Sequence, residues 1–187
     1  MFKKSVLCIP LLLTGCGFFA VSGIGTMGMS AVEERGLGGV ASDQALRLRL
    51  NYELSDELSD FSGIELTVYN GRVLLTGVAA NEKVKADAVR ITKGVSGVKE
   101  VIDEMNVHGE DGFAEYTRDA WMTTKLKAAL YSDEDVFAPN YVITTFDKAI
   151  YVFGFSQTKE EMQKVIDYAH DIKGVRKVMN LIEMPQR

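Results

Sequence analysis

Few residues of this sequence could do acid–base or metal chemistry, and their spacing does not favour it. His108 ends a predicted strand and His170 lies in a charged helix, so we interpret both of these histidines as surface residues. No serine or cysteine stands with a histidine in a recognisable nucleophile motif. Two histidines without a cysteine pair do not make a zinc centre. The acidic run at 133–135 lacks the spaced ligands of a calcium loop and is interpreted as solvated. The sequence predicts no catalytic residue and no metal site, and the protein is not expected to be an enzyme.

A glycine motif near the N-terminus has the spacing of a dinucleotide-binding loop. Residues 23–28 (GIGTMG) match G-x-G-x-x-G, and Asp43 stands at the distance of the acidic residue that contacts ribose in such sites. That function requires a preceding strand and a following helix whose amides face the phosphate. Here the motif begins seven residues after Cys16, and the glycines within 36–39 are expected to break a helix. We predict no nucleotide and no other cofactor.

The first sixteen residues have the layout of a bacterial lipoprotein signal. Two lysines precede an apolar run at 6–13 that is too short to span a bilayer, and small residues lead to Cys16. This segment is similar to the lipobox of bacterial lipoproteins, which implies that residues 1–15 are removed and that Cys16 carries the lipid. The alternative is a plain secretory peptide with an incidental cysteine. By the same resemblance Gly17, which is not the aspartate of an inner-membrane retention signal, favours the periplasmic face of the outer membrane.

The mature chain is acidic and starts with a glycine-rich segment. Removal of residues 1–15 leaves 19 basic and 26 acidic residues, a net charge of −7. This balance is not typical of nucleic-acid binders, which present a basic face. Residues 16–41 show no sustained strand or helix periodicity, so we predict a flexible lipidated tether.

The remainder of the chain contains one sequence unit twice. An offset of 77 residues aligns Gly77 with Gly154 and Gly97 with Gly174, and an offset of 76 aligns the leucines at the front of each unit. A unit of about 65 to 70 residues is a small domain rather than a solenoid repeat. The predicted domains are 42–108 and 115–187, with a linker at 109–114.

Each unit is predicted to fold as helix, strand, strand, helix, strand. In the first unit, leucines recur every four residues after Ser42-Asp43, a candidate N-cap, and Asn70-Gly71 is a strong hairpin signal between two alternating strands. In the second unit, the last helix opens on a capping box at 158–161. Two helices packed on a three-stranded mixed sheet make an α+β fold, formed here twice in tandem.

The order of the elements and the glycine positions resemble the BON domain. The resemblance rests on the hairpin Asn70-Gly71-x-Val73-x-Leu75-x-Gly77, on Gly97-Val98-x-x-Val101 and Gly174-Val175-x-x-Val178, and on residues 120–127 (AWMTTKLK). It spans the mature chain, and two such units behind a lipobox resemble the dual BON-domain outer-membrane lipoproteins. The resemblance implies a protein without enzymatic activity that binds anionic phospholipid, mainly through its second domain, and supports envelope integrity, including at division sites.

The first helix of the second domain is the predicted site of lipid contact. Its core face holds Met122, Leu126, Ala129 and Leu130, and a helical wheel puts an aromatic stripe on the opposite side, flanked by cations. Rings at headgroup depth with lysines near phosphates are typical of a helix at a lipid interface. The predicted phospholipid-binding residues are Trp121, Thr124, Ala128 and Tyr131 on the stripe, Lys127 on one flank, and Lys125 and Arg118 on the other.

The first helix of the first domain lacks this pattern. Ala45 and Leu48 stand there where the second domain has Trp121 and a threonine. Residues 42–108 hold 8 basic and 11 acidic groups, a net charge of −3, whereas residues 114–187 hold 10 and 11, a net charge of −1. The second domain is therefore repelled less by an anionic membrane.

Two interpretations of Trp121 remain open. In the first, its helix docks on an anionic phospholipid membrane. In the second, the tryptophan packs against the other domain or the tether, or binds an envelope protein, and the lipid serves only as a tether. We expect a monomer in either case.

Overall fold

The computed structural model describes residues 36–107 and 113–185 of the chain. The signal peptide, Cys16, the tether up to residue 35, the glycine motif at 23–28 and His108 lie outside the described residues. No helix within the described ranges is both long enough and apolar enough to cross a membrane.

Each domain folds as helix, strand, strand, helix, strand. The first domain consists of α1 (Gly36–Glu57), β1 (Ile64–Tyr69), β2 (Arg72–Gly77), α2 (Glu82–Gly94) and β3 (Glu100–Asp103). The second consists of α3 (Phe113–Ser132), a short 3₁₀ turn (Ala138–Asn140), β4 (Tyr141–Phe146), β5 (Ala149–Phe155), α4 (Lys159–His170) and β6 (Lys177–Glu183). In each sheet the first two strands are antiparallel and the third is parallel to the second, in the orders β1-β2-β3 and β4-β5-β6. The predicted α+β fold of two tandem domains is confirmed.

Both hairpins turn through two residues with positive φ. Asn70 has a φ of 50° and Gly71 a φ of 76°, which is the conformation that a two-residue turn needs to match the twist of its strands. Asp147 and Lys148 take the same place in the second domain, with φ values of 45° and 60°. The second hairpin therefore holds a lysine in a conformation that residues with a Cβ seldom adopt.

The central strands bury apolar side chains on both faces. In β5, Ile150 and Val152 belong to the core of their own domain, whereas Tyr151 and Phe153 lie on the opposite face, and all four are buried. β2 alternates in the same way and places Leu74 on the face that points away from the core of its own domain. A sheet that is apolar on both faces must be covered on both.

The two sheets cover each other, so the molecule has four layers in the order helices, sheet, sheet, helices. Their shared cluster contains Tyr69 and Leu74 from the first domain and Tyr151 and Phe153 from the second. The rings of Tyr69 and Phe153 stack with centroids 5.9 Å apart. The outer layers are α1 and α2 on one side and α3 and α4 on the other.

Polar pairs surround this apolar contact between the domains. Arg72 forms an ion pair with Glu183 at 3.1 Å and donates to the Leu181 carbonyl at 2.7 Å. Lys177 pairs with Glu104 at 2.6 Å. These contacts join the domains into one unit.

Equivalent residues of the two domains meet where the domains touch. Thr67 and Thr144 occupy the same place in the two repeats, 77 positions apart, and their hydroxyls hydrogen-bond each other at 2.9 Å.

The predicted end of the tether at residue 41 is wrong, because α1 begins at Gly36 and includes the glycines at 38 and 39. A glycine costs a helix about 1 kcal/mol relative to alanine. That cost is small beside the packing of Leu46, Leu50 and Leu54, which are buried in the core of the first domain.

The predicted N-cap at Ser42-Asp43 is also wrong, since both residues lie inside α1. Asp43 is buried, and its carboxylate accepts hydrogen bonds from the backbone amides of Asn70 at 2.7 Å and Gly71 at 3.0 Å. This side chain therefore links α1 to the first hairpin and does not cap the start of the helix.

Other boundaries differ less from the predictions. β3 ends at Asp103, whereas the sequence predicts a strand over 98–107, and α3 begins at Phe113, inside the predicted linker.

The capping box predicted at the start of α4 forms in part. The Thr158 hydroxyl accepts from the Glu161 amide at 3.1 Å, as the capping box predicts. The Glu161 carboxylate does not return to the cap, because it accepts from the Phe137 amide at 3.0 Å instead.

Candidate functional site

Buried side chains and one polar contact hold α3 against its sheet. Met122, Leu126 and Leu130 are almost fully buried. The buried carboxylate of Asp119 accepts a hydrogen bond from the Lys148 amide at 3.0 Å. These contacts fix the rotation of α3 and thereby decide which of its faces meets solvent.

The outer face of α3 carries an exposed aromatic stripe. Trp121 is 45% exposed and Tyr131 is 56% exposed, and Thr124 and Ala128 between them are exposed as well. These are the four stripe residues that the helical wheel predicts. Exposed apolar side chains aligned along one helix face are typical of a docking surface.

The three cations predicted to flank the stripe are all exposed. The Lys125 ammonium lies 5.9 Å from the centroid of the Trp121 ring, which is within cation–π range. Arg118 stands one turn before Trp121. Neither Lys125 nor Lys127 forms an ion pair with any residue that the structure describes, so both charges are available to attract phosphate.

The hydroxyl of Thr124, within the stripe, is satisfied by the helix itself. The Thr124 hydroxyl donates to the Ala120 carbonyl at 2.9 Å. Burying a hydroxyl away from water costs free energy unless it keeps a hydrogen bond. Thr124 can therefore enter a lipid interface without losing its hydrogen-bond acceptor.

Trp121 does not pack against the other domain in the described part of the chain. The contact between the domains is made by the facing sheets, around Tyr69, Leu74, Tyr151 and Phe153. Trp121 is not part of that contact, because α3 packs on the opposite face of the β4-β5-β6 sheet. Whether the tether covers it concerns residues outside the described ranges.

Two exposed aromatic residues near the stripe are missed by the helical wheel. Tyr116, 70% exposed, lies in the first turns of α3, and Phe137, 40% exposed, lies in the loop that follows the helix. Tyr116 lines a groove of about 550 Å³ between α3 and the first domain, whose walls include Gly63 and Val78. The apolar run around Phe137 is visible in the sequence, but only the structure shows that this ring reaches the surface.

The acidic run at 133–135 is not simply solvated. The Asp133 carboxylate accepts hydrogen bonds from the Asp135 amide and the Tyr168 hydroxyl, both at 2.8 Å. The Asp135 carboxylate accepts one from the Lys164 ammonium at 2.6 Å. These donors, the Asp135 amide first, hold the pKa of the Asp133 carboxyl below its usual value. The prediction of a solvated loop is therefore wrong for Asp133, whose hydrogen bonds join the end of α3 to α4.

Other candidate chemical groups are scattered. His170 is exposed at the end of α4. Within residues 36–107 and 113–185, no three His, Cys, Asp or Glu side chains are grouped in a way that could hold a metal ion.

The equivalent helix of the first domain has an exposed apolar face of its own. Leu48 is 72% exposed and Tyr52 is 65% exposed, one turn apart on α1. With the 76-residue offset they align with Thr124 and Ala128 of α3. Both outer layers therefore expose an apolar helix face, and only the second carries a tryptophan.

Comparison with known proteins gives concordant matches. The sequence matches the BON domain at residues 42–109 and 118–186. Outer membrane lipoprotein DolP of Haemophilus influenzae is 29% identical over 175 residues, covering 92% of this chain and 90% of that protein. The 21 kDa hemolysin of Actinobacillus pleuropneumoniae is 27% identical and covers 83% of this chain and 80% of that protein. Osmotically-inducible protein Y of Escherichia coli is 24% identical and covers 77% of this chain and 73% of that protein.

Proposed function

This chain belongs to the BON domain family, and we propose that it is a lipid-anchored protein of the outer membrane whose second domain binds anionic phospholipid through α3. Its two BON domains, together with its similarity along 92% of its length to an outer membrane lipoprotein, make it an envelope-associated BON protein. The anchor in this proposal is the lipid on Cys16, and the protein has no enzymatic activity.

The observation that carries the proposal is the combination of Trp121 and its neighbours on α3. Two aromatic rings and two small residues form a continuous exposed stripe, and three exposed cations flank it. At a membrane the rings would lie at headgroup depth while the cations contact lipid phosphates. Each cation near an anionic surface contributes on the order of 1 kcal/mol.

The layered fold orients the molecule for this contact. Because α1 and α2 form the layer opposite α3 and α4, docking through α3 turns the first domain away from the membrane. The first domain has a net charge of −3 over residues 42–108. Its distance from an anionic surface therefore limits the repulsion that this charge would cause.

Vesicle flotation of the chain from residue 16 onward, with Cys16→Ser so that no lipid is attached, tests the proposal. We expect this chain to float with vesicles that contain anionic phospholipid and to stay behind with neutral vesicles. Trp121→Glu should abolish flotation, because it places a negative charge at headgroup depth. Its midpoint of thermal unfolding should stay near wild type, since Trp121 belongs to no buried cluster. Binding should weaken as salt rises.

Ala86→Glu is the matched control, because it adds the same charge at an exposed position of α2 and should leave flotation unchanged. If Trp121→Glu floats like wild type, the lipid-docking proposal is wrong. The alternative, a periplasmic adaptor that uses the Trp121 face for a protein partner, would then be favoured, with the lipid on Cys16 as a tether only.

We further propose that docking supports the integrity of the outer membrane, including at division sites. In cells that depend on this protein, Trp121→Glu and Cys16→Ser should each increase the entry of a dye that the intact outer membrane excludes. Normal exclusion by cells with Trp121→Glu at wild-type protein levels would contradict this role.

A further inference from the structure

α1 presents an apolar surface that nothing in the described structure covers. We name its exposed residues the α1 stripe: Ala41, Ala45, Leu48, Tyr52 and Ser55. They succeed one another at spacings of four and three, which puts them on one side of the helix. The Ser55 hydroxyl donates to the Tyr52 carbonyl at 2.9 Å, so this hydroxyl keeps a hydrogen bond when the stripe is covered.

Charges of opposite sign border the α1 stripe on one flank. Arg49 stands near its middle, and Glu53 and Asp56 follow one and two turns later on the same flank. One guanidinium nitrogen of Arg49 donates to the Ser96 carbonyl at 2.8 Å, and the remaining donors of that group are available. Neither acidic residue forms an ion pair with a described residue.

We propose that the α1 stripe binds a second copy of this chain, with the two α1 helices antiparallel about a twofold axis near residue 51. In this arrangement Leu48 of each copy packs against the partner's Tyr52. Arg49 of each copy lies beside the partner's Glu53 and the partner's Asp56.

The order of the charges selects this alignment. A twofold axis lying in the interface brings the same flank of both helices together with the chain directions reversed. The surface is then complementary to itself in charge, which favours the antiparallel pair. In a parallel pair the twofold axis runs along the helices, so this charged flank would face the partner's opposite flank and these ion pairs would not form.

The dimer and the membrane contact use opposite faces of the molecule. Because α1 and α3 lie in different outer layers, pairing through α1 leaves both Trp121 faces exposed. A single pair of helices buries less surface than a standard interface, so the dimer is weak and reversible. The dimer departs from the monomer expected from the sequence.

Site-specific crosslinking tests the arrangement. The chain contains Cys8 in the signal segment and Cys16, so the chain from residue 16 with Cys16→Ser has no cysteine. Adding Tyr52→Cys, one position from the axis, should give a disulfide-linked dimer under mild oxidation. Ala41→Cys lies on the same stripe but ten residues from the axis, so the two sulfurs would be roughly 30 Å apart and should not link. Thr124→Cys, at the matching helix of the second domain, is the control outside the stripe.

Sedimentation of the same cysteine-free chain, at concentrations up to about 1 mM, measures the dimer itself. Leu48→Glu and Arg49→Glu should each weaken dimerisation at least tenfold, and Arg49→Glu combined with Glu53→Arg and Asp56→Arg should restore it. The midpoint of thermal unfolding of each variant separates lost pairing from lost folding. The proposal is overturned by a wild-type chain that stays monomeric throughout, by equal crosslinking at residues 41 and 52, or by failure of the charge exchange to restore pairing in a folded variant.

Discussion

Asp43 and Asp119 occupy equivalent positions of the two repeats and make equivalent contacts. Each carboxylate is buried on the first helix of its domain and accepts backbone amide hydrogens from the turn of its hairpin. Turn amides point out of the ladder and need an acceptor when they are covered by a helix. The aspartate supplies that acceptor and sets the position of the helix along the sheet.

This contact predicts a stability effect at residue 43. Asp43→Ala should lower the free energy of unfolding by about 1 to 3 kcal/mol, because two covered amides lose their acceptor. Asp43→Asn keeps one side-chain oxygen and should lose less. Urea denaturation measures both. Glu100→Ala, at an exposed position, should change stability by less than about 0.5 kcal/mol, and an equally small effect of Asp43→Ala would contradict the assignment.

Within the helices and strands, the glycines differ in what an added side chain would contact. Gly38 lies inside α1, and a Cβ added there would meet no atom within 4 Å. Gly77 ends β2 with a φ of 95°, and a Cβ there would collide with the Gly63 carbonyl. Its repeat partner Gly154 lacks a positive φ, but a Cβ there would collide with the ring of Tyr141. The repeat therefore keeps a glycine at one position for two different physical reasons.

This difference predicts opposite effects of the same substitution. Gly38→Ala should stabilise the protein by about 0.5 kcal/mol, since alanine lowers the entropy cost of forming the helix. Gly77→Ala should destabilise it by roughly 2 to 3 kcal/mol through backbone strain and the collision. Thermal unfolding of the two variants and of wild type measures both effects. A destabilising Gly38→Ala would mean that α1 does not extend to residue 38.

At the scale of the whole molecule, the two domains share a buried cluster and should unfold together. Leu74 and Tyr151 belong to that cluster and to neither domain core. Their side chains therefore couple the domains without building either one. The sheets, once separated, would expose a continuous apolar face to water.

Calorimetry tests this coupling through Leu74. We expect wild type to unfold in one transition and Leu74→Glu to unfold in two, because a buried unpaired carboxylate separates the sheets while each domain core remains. Leu48→Glu carries the same change at an exposed position and should keep one transition. Two transitions in wild type would show that the domains are not coupled.

The same cluster predicts a loss of stability at alkaline pH. Burial, assisted by the Glu104 carboxylate, raises the pKa of the Tyr151 phenol above its usual value. The neutral phenol is favoured in the folded state, so its contribution is complete below about pH 10, the unfolded pKa, and is lost as pH rises toward the folded pKa. The loss is at most about 1.4 kcal/mol per pH unit.

Tyr151→Phe should remove this component of the alkaline loss, whereas Tyr116→Phe at an exposed site should not. Urea unfolding at several pH values between 8 and 11 measures the difference. Identical pH dependence in Tyr151→Phe and wild type would contradict the assignment.

Local periodicity along the chain was enough to predict several features of this protein. The order of elements in each repeat, the Asn70-Gly71 hairpin, and the exposure of Trp121 all follow from spacings along a single helix or strand. The same periodicity predicted the core side of α3. These features need no knowledge of which element packs on which.

Other features depend on residues far apart in the chain and become visible only when the elements pack together. Leu74 and Tyr151 alternate with core residues on strands that are apolar on both faces. This pattern indicates that a second layer covers the far face of each sheet, but it does not show that this layer is the other sheet. Asp43 has the residue type of an N-cap, and only its closeness to Gly71 shows that it holds the hairpin. Because packing energy exceeds local propensity, α1 extends back to Gly36 through glycines that would end an isolated helix.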